Sequence, residues 1–220
     1  MNQITLDMIL KYKLIAILRG VKQEELLPLC EALYQGGIRL VEVTYAADGT
    51  QNPETAAKIR LLADHFADRM AIGAGTVVSS EQVAMTHEAG GSFIISPNTV
   101  ESVIQKTKEL GMISIPGALT PTEVSVAHDL GADFVKLFPI GNLGSGYVKA
   151  IKAPLSHIRL LAVGGIDRNN LTEYLRAGVC GVGVGANIVN KDLLRQGNFE
   201  AIAALAAEYT ARITEYENEG

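Results

Sequence analysis

Eight short apolar runs alternate with longer amphipathic stretches along this chain, and that alternation constrains its fold more than any other feature. The runs, rich in Val, Ile, Leu and Ala, fall at 14–18, 39–44, 70–74, 92–95, 112–115, 133–137, 158–162 and 180–184. Between them, apolar residues recur at helical spacing over 23–36, 52–67, 80–89, 99–109, 121–129 and 168–177, and more weakly over 144–153. A short helix is predicted at 3–11 and a long one at 198–217. Strands separated by helices pair in parallel, because a parallel neighbour needs a crossover of a dozen residues or so. An open doubly wound sheet and a closed barrel share that order. Eight units in 220 residues, with no linker, low-complexity tract or shift of composition, favour the barrel. The expected architecture is therefore an α/β chain: one (β/α)8 TIM barrel over 1–220 with a short N-terminal helix. Local signals agree. Thr120-Pro121-Thr122-Glu123 and Ser79-Ser80-Glu81 read as helix starts, and Gly37, Gly90, Gly111, Gly131 and Gly178 each follow a helical stretch.

Composition narrows the function classes. Hydrophobic residues make up 48% and charged residues 20%, enough for a sizeable core and too apolar for long disorder. The net charge is −5 and the basic residues are spread along the chain, so nothing points to nucleic acid. No apolar run has the length to cross a bilayer, and MNQITLDMILKYK mixes acid and base unlike a signal peptide. The expected location is the cytoplasm. Cys30 and Cys180 stand far apart in apolar stretches and read as buried reduced thiols. His65, His87, His128 and His157 are scattered without metal-ligand spacing, so no metal and no cofactor is expected.

The chemistry lies on strand faces. Side chains alternate along a strand, so in Asp133–Pro139 the residues Phe134, Lys136 and Phe138 point together, into the barrel, while Val135 and Leu137 suit the helix side. A buried ammonium is costly without a partner. A lysine held partly neutral by apolar neighbours is instead a nucleophile toward a carbonyl carbon. By the same alternation Leu40, Glu42 and Thr44 share a face, which makes Glu42 a candidate general acid/base. Ile15, Ile17 and Arg19 share a face of the first strand, and Ile72, Ala74 and Thr76 one of the third. Arg19, Thr44, Thr76 and Pro97 fall at C-terminal strand ends, where barrel active sites sit. Alone, each reads as an ordinary surface or packing residue; an inward Glu with an inward Lys is hard to explain as packing. Gly164-Gly165 follow the seventh strand, and Gly181, Gly183 and Gly185 run through the eighth, where loop amides can approach a phosphate.

The motifs IAILRG (15–20), VEVT (41–44), GAGTV (73–77), ISPN (95–98), PGALTPTE (116–123), DFVKLFP (133–139) and GGI (164–166) together resemble the 2-keto-3-deoxy-6-phosphogluconate (KDPG) / 4-hydroxy-2-oxoglutarate (KHG) aldolase family, in order and over nearly the whole chain. The resemblance implies a metal-free, homotrimeric class I aldolase acting on a small keto acid. It implies that Lys136 forms the Schiff base and that Glu42 shuttles protons. Thr76 and Pro97 would line the pyruvyl pocket, with Thr44 and Phe138 beside them; Arg19, Gly164, Gly165 and Gly185 would lie toward the phosphate. KDPG is the expected substrate, with KHG and a galactonate-derived stereoisomer as alternatives. Three positions depart from the family pattern. Tyr45-Ala46-Ala47-Asp48 stands where an apolar residue and then a carboxylate-binding Arg are common. Val163 replaces a Thr before Gly-Gly, and Gly185 a phosphate-binding Ser. The 45–53 loop, with Asp48, Gly49 and Asn52, could supply substitutes. Two other classes share the fold pattern: phosphate-binding barrel isomerases or transferases such as thiamine phosphate synthases, and non-catalytic ligand-binding barrels. Neither accounts for an inward Lys–Glu pair.

Overall fold

A computed structural model describes residues 2–46 and 48–219. Ala47, part of the departure after the second strand, lies outside the described residues, as do Met1 and Gly220. The chain opens on helix α1 (Gln3–Tyr12) and then alternates: β1 (Leu14–Leu18), α2 (Gln23–Gln35), β2 (Leu40–Thr44), α3 (Asn52–Phe66), β3 (Ala71–Gly75), α4 (Ser80–Glu88), β4 (Phe93–Ile95), α5 (Glu101–Glu109). The second half continues with β5 (Ile113–Ile115), β6 (Gly117–Ala118), α6 (Pro121–Asp129), β7 (Val135–Leu137), α7 (Gly144–Lys152), β8 (Leu160–Val163), α8 (Leu171–Arg176), β9 (Gly181–Val184), α9 (Lys191–Arg195) and α10 (Phe199–Asn218).

All nine strands belong to one parallel sheet in the order β5-β4-β3-β2-β1-β9-β8-β7-β6. The sheet closes at the fifth position of the barrel. There the strand extends past its predicted end at 115, and Pro116 separates two pieces: β5 pairs with β4 and β6 with β7. Pro116 has no N–H to give, but its carbonyl still accepts from Lys136 N (2.8 Å), so the ladder continues past the break. The sequence pattern ended that strand at 115 because Pro and Gly read as punctuation.

Two apolar layers build the barrel. Leu14, Ala16, Val41, Val43, Val135 and Leu137 face outward into the sheet–helix core, while Ile15, Leu40, Phe93, Ile113, Phe134 and Leu161 fill the barrel interior. The alternation predicted for the first, second and sixth strand positions holds. It fails for β3: Ile72 and Ala74 pack outward against helices, whereas Ala71 lies in the interior cluster. That puts Gly73 and Gly75 on the inward face. A Cβ on Gly73 would come within 2.4 Å of the Phe93 ring, so this strand forgoes side chains to make room for its neighbour's. Leu6 and Ile9 of α1 join the interior cluster and close the bottom of the barrel.

The helix starts follow their capping signals. Thr120 accepts from Glu123 N and Glu123 returns the bond to Thr120 N; Ser79 accepts from Gln82 N. Helix 168–177 shortens to α8 because Asp167–Asn170 form a hydrogen-bonded turn, with Asp167 Oδ1 accepting from Asn169 N and Asn170 N. The five-residue α9 was not legible as a periodic segment. Cys30 is buried, Cys180 only partly so, and both are free thiols.

Candidate active site

A cavity of about 710 Å³ opens at the C-terminal ends of the strands, and Arg19, Glu42, Thr76, Pro97, Lys136 and Phe138 all line it. This is a usual size for a small-ligand site. Gly164, Gly165 and Gly185, in the loops after β8 and β9, line it as well, and Gly164 lies against the Phe138 ring. Thr44 does not reach the lining; its hydroxyl donates to the Leu18 carbonyl (3.3 Å), tying two strand ends together. None of the described residues of the 45–53 loop lines it either, and Asp48 instead accepts from Thr50 within its own turn.

Lys136 is 7% exposed and Glu42 2%. Neither belongs to any ion pair among the described residues. Glu42 Oε2 is buried without a hydrogen-bond partner, an exception in a structure whose other buried side-chain polar atoms among the described residues are satisfied. The Lys136 ammonium sits 4.4 Å from the Phe138 ring centroid, over its π face. Burial drives the Lys136 pKa down, with the Arg19 charge adding to that and Glu42 opposing it. Burial drives the Glu42 carboxyl up, opposed by Lys136 and Arg19. Both groups are therefore pushed toward their neutral forms, and they titrate as a pair.

Two backbone features hold this arrangement. Gly75 lies against the carboxylate: a Cβ there would meet Glu42 Oε1 at 2.5 Å. Thr76, one residue on, has φ +58°, rare for a β-branched residue. That left-handed step explains why Thr76 lines the cavity although Ile72 and Ala74, its expected face-mates, point outward. Strain of this kind persists where the surroundings enforce it. Here Thr76 Oγ1 accepts from the Arg19 guanidinium (3.2 Å). Arg19 thus stands at the Glu42–Lys136 end of the cavity, near enough for its charge to act on both.

The loops after β8 and β9 contribute lining of another kind. The N–H groups of Gly164, Gly165, Ile166, Gly185, Ala186 and Asn187 have no acceptor among the described residues, and all six residues line the cavity. Gly164 and Gly165 take φ +91° and +77°, which few other residues tolerate in succession. Unpaired loop amides facing one space form an anion-binding concavity.

Sequence reasoning missed Ile17, Asn187 and Lys191 in the lining. Ile17 follows from the alternation in β1. The other two lie past the last strand, in a loop whose course no periodicity reveals. No group of three or more His, Cys, Asp or Glu side chains able to hold a metal occurs among the described residues.

A family model described as KDPG and KHG aldolase matches residues 6–205. The 2-dehydro-3-deoxy-6-phosphogalactonate aldolase of Escherichia coli K12 is 37% identical over 201 residues, 90% of this chain and 93% of that one. The 2-dehydro-3-deoxy-phosphogluconate aldolase of Dickeya dadantii is 35% identical, covering 88% of each chain. Among solved structures, the KDPG aldolase of Legionella pneumophila, with pyruvate captured at low pH as a covalent carbinolamine intermediate, superposes with a TM-score of 0.80 at 30% identity, over 89% of this chain and 93% of that one.

Proposed function

The chain belongs to the KDPG and KHG aldolase family, hence to the carbon–carbon lyases, and from that premise we propose that it cleaves a 2-keto-3-deoxy-6-phosphohexonate into pyruvate and glyceraldehyde 3-phosphate through an imine on Lys136. The observation that carries this reading is the buried Lys136 and Glu42, neither of them ion-paired, opening on one cavity. Packing does not account for two such groups side by side.

The steps follow from the geometry. Burial enlarges the neutral fraction of Lys136, whose Nζ lone pair attacks C2 of the keto acid. The carbinolamine takes up a proton from solvent and loses water, which leaves an iminium; hydrolysis at the end of the cycle releases that proton again. Glu42 takes the proton of the C4 hydroxyl, the C3–C4 electron pair moves into the iminium, and the aldehyde departs. The Glu42 carboxylic acid returns its proton to C3 of the enamine, and water hydrolyses the product imine, restoring what was lost. A carboxyl with raised proton affinity suits both halves of this cycle.

The cavity lining offers two kinds of group for the substrate's two charges. Sequence reasoning set Arg19 toward the phosphate. Its bond to Thr76 and its action on both ionisable groups support a place beside the reacting carbon, so we assign it the substrate carboxylate, in the role of the arginine lacking after Glu-Val-Thr. The six free amides of the loops after β8 and β9 suit the 6-phosphate and compensate for the hydroxyl lacking at Gly185.

KDPG and its galactonate epimer differ at C4. That carbon becomes the aldehyde carbonyl, so both give the same products. The similarity to the E. coli phosphogalactonate enzyme favours the galactonate epimer as a second reading. Family resemblance also supports a homotrimer in the cytoplasm; none of the described helices is long and apolar enough to cross a membrane. The deciding experiment measures pyruvate release from both epimers and from 4-hydroxy-2-oxoglutarate. The proposal expects the highest kcat/KM on one of the phosphorylated epimers. Preference for 4-hydroxy-2-oxoglutarate would overturn it.

A further inference from the structure

The segment after β9 brings to the cavity a charged side chain that neither the sequence motifs nor the reaction steps use. Lys191, the first residue of α9, lines the same cavity as the free amides, yet it is exposed and forms no ion pair among the described residues. We propose that Lys191 is a specificity-determining residue whose ammonium binds the phosphate of the substrate and sets the preference for phosphorylated over unphosphorylated keto acids. The inference rests on the aldolase reading above and deepens it.

A phosphate monoester carries about −1.5 to −2 at neutral pH, and amide N–H groups offer only partial charges against it. Three cationic side chains line the cavity: Arg19, Lys136 and Lys191. Lys136 is the nucleophile, and Arg19 is held by Thr76 at the reacting end. Glu42 and Lys136 respond to each other and to Arg19, while Lys191 is absent from both their environments. The Lys191 charge is therefore not committed to the reacting pair, which leaves it available to the phosphate.

The position of Lys191 is also fixed. Asn187 Nδ2 donates to the Ile166 carbonyl (2.9 Å), joining the loop after β9 to the loop after β8 that carries Gly164 and Gly165. The amides of Ile188 and Val189 both donate to Gly185 O (2.9 Å each). Asn190 Oδ1 accepts from Asp192 N (2.9 Å) and Leu193 N (3.1 Å), which sets the start of α9. Lys191 is thus carried on a backbone tied by hydrogen bonds to the loop that holds the free amides. A lysine charge beside a cluster of N–H donors is a familiar way to hold a phosphate.

The test compares two substrates in three proteins. For the parent, Lys191→Gln and Lys191→Arg, kcat/KM is measured on the preferred 2-keto-3-deoxy-6-phosphohexonate and on the same compound without phosphate. Inhibition by inorganic phosphate is measured alongside. A charge-assisted contact of this type corresponds to roughly ten- to a hundred-fold. Lys191→Gln is expected to lose about that much more on the phosphorylated substrate than on the other, mostly through KM, and to be inhibited less by phosphate. Lys191→Arg, which keeps the charge, should recover most of the difference. Equal losses on the two substrates, or none on either, overturn the assignment. A parent that cleaves neither compound, yet forms the borohydride-trapped pyruvate adduct, would instead overturn the substrate reading it rests on.

Discussion

The lower and upper halves of the barrel interior are built by the same strand faces, two residues apart, and they could hardly differ more. Moving one inward position up from Ile15, Leu40, Phe134 and Leu161 leads to Ile17, Glu42, Lys136 and Val163. The lower set interlocks with Phe93 and Ile113 and is closed by Leu6 and Ile9; the upper set borders a cavity. Strand β3 shows the contrast in two glycines. Gly73 leaves space for the Phe93 ring below, and Gly75 leaves space for the Glu42 carboxylate above. Burial is similar in both halves, with Phe93 at 0% and Glu42 at 2% exposure. Only the lower half is satisfied by what surrounds it. The difference separates the layer that holds the fold from the layer that spends stability on chemistry.

The largest expected effect breaks the upper half outright. Lys136→Ala should abolish covalent labelling by pyruvate and borohydride and take aldol cleavage below detection, while the lower plug keeps the protein folded. Labelling equal to the parent's would end the Schiff-base assignment. Glu42→Gln comes next. General acid/base catalysis contributes roughly 10²–10⁴-fold, and turnover should fall by about that range while pyruvate trapping persists. The amide fills the space beside Gly75 but cannot carry the proton. Near-parent turnover would give the proton transfers to another group or to water.

The opposite perturbation belongs to the lower half. Phe93→Ala empties the centre of a packed layer and should cost about 3–5 kcal/mol of stability, read from chemical denaturation. The protein that remains folded should still label at Lys136 at the parental rate per folded molecule. A large change in that rate would show that the two layers are mechanically coupled.

How far the sequence disclosed this arrangement depends on what each feature is made of. The inward placement of Lys136 and Glu42 follows from alternation alone, because β2 and β7 are regular and apolar on their other faces. Thr76 was placed correctly for the wrong reason. Alternation in Ala71–Gly75 offers two registers, and glycines carry no polarity to choose between them. Gly73 and Gly75 can be seen as inward only once Phe93 and Glu42 stand beside them, and Thr76 enters the cavity through a left-handed φ that no periodicity encodes. Thr44 obeys alternation but is drawn to a neighbouring strand's carbonyl. Arg19 was expected toward the phosphate, whereas its bond to Thr76 supports the proposed place beside the reacting carbon; a strand-end position fixes the layer of the barrel and not the neighbour across it. Lys191 was invisible for the same reason in stronger form: its place depends on a loop held by Asn187 and Asn190.

The subtlest expected effect concerns Arg19 and the acid limb of the pH profile. Truncating Arg19 to Ala removes a charge-assisted contact to the substrate carboxylate and should lower kcat/KM by roughly ten- to a hundred-fold, on phosphorylated and unphosphorylated substrates alike. A second, smaller signature is independent of that contact. The Arg19 cation disfavours a second positive charge, so it holds the Lys136 pKa down; it also favours the Glu42 carboxylate and holds that pKa down. Without Arg19 both pKa values rise. Lys136 then stays protonated, and Glu42 stays neutral, to higher pH. Cleavage needs the free amine and the carboxylate base, so both changes move the acid limb of kcat/KM in the same direction, toward higher pH. The limb belongs to the coupled pair and reports their joint titration. Phe93→Ala, acting on the lower layer, should leave the limb where the parent has it. A limb that stays put in Arg19→Ala, or moves toward acid, would remove Arg19 from the reacting end and return it to the phosphate wall.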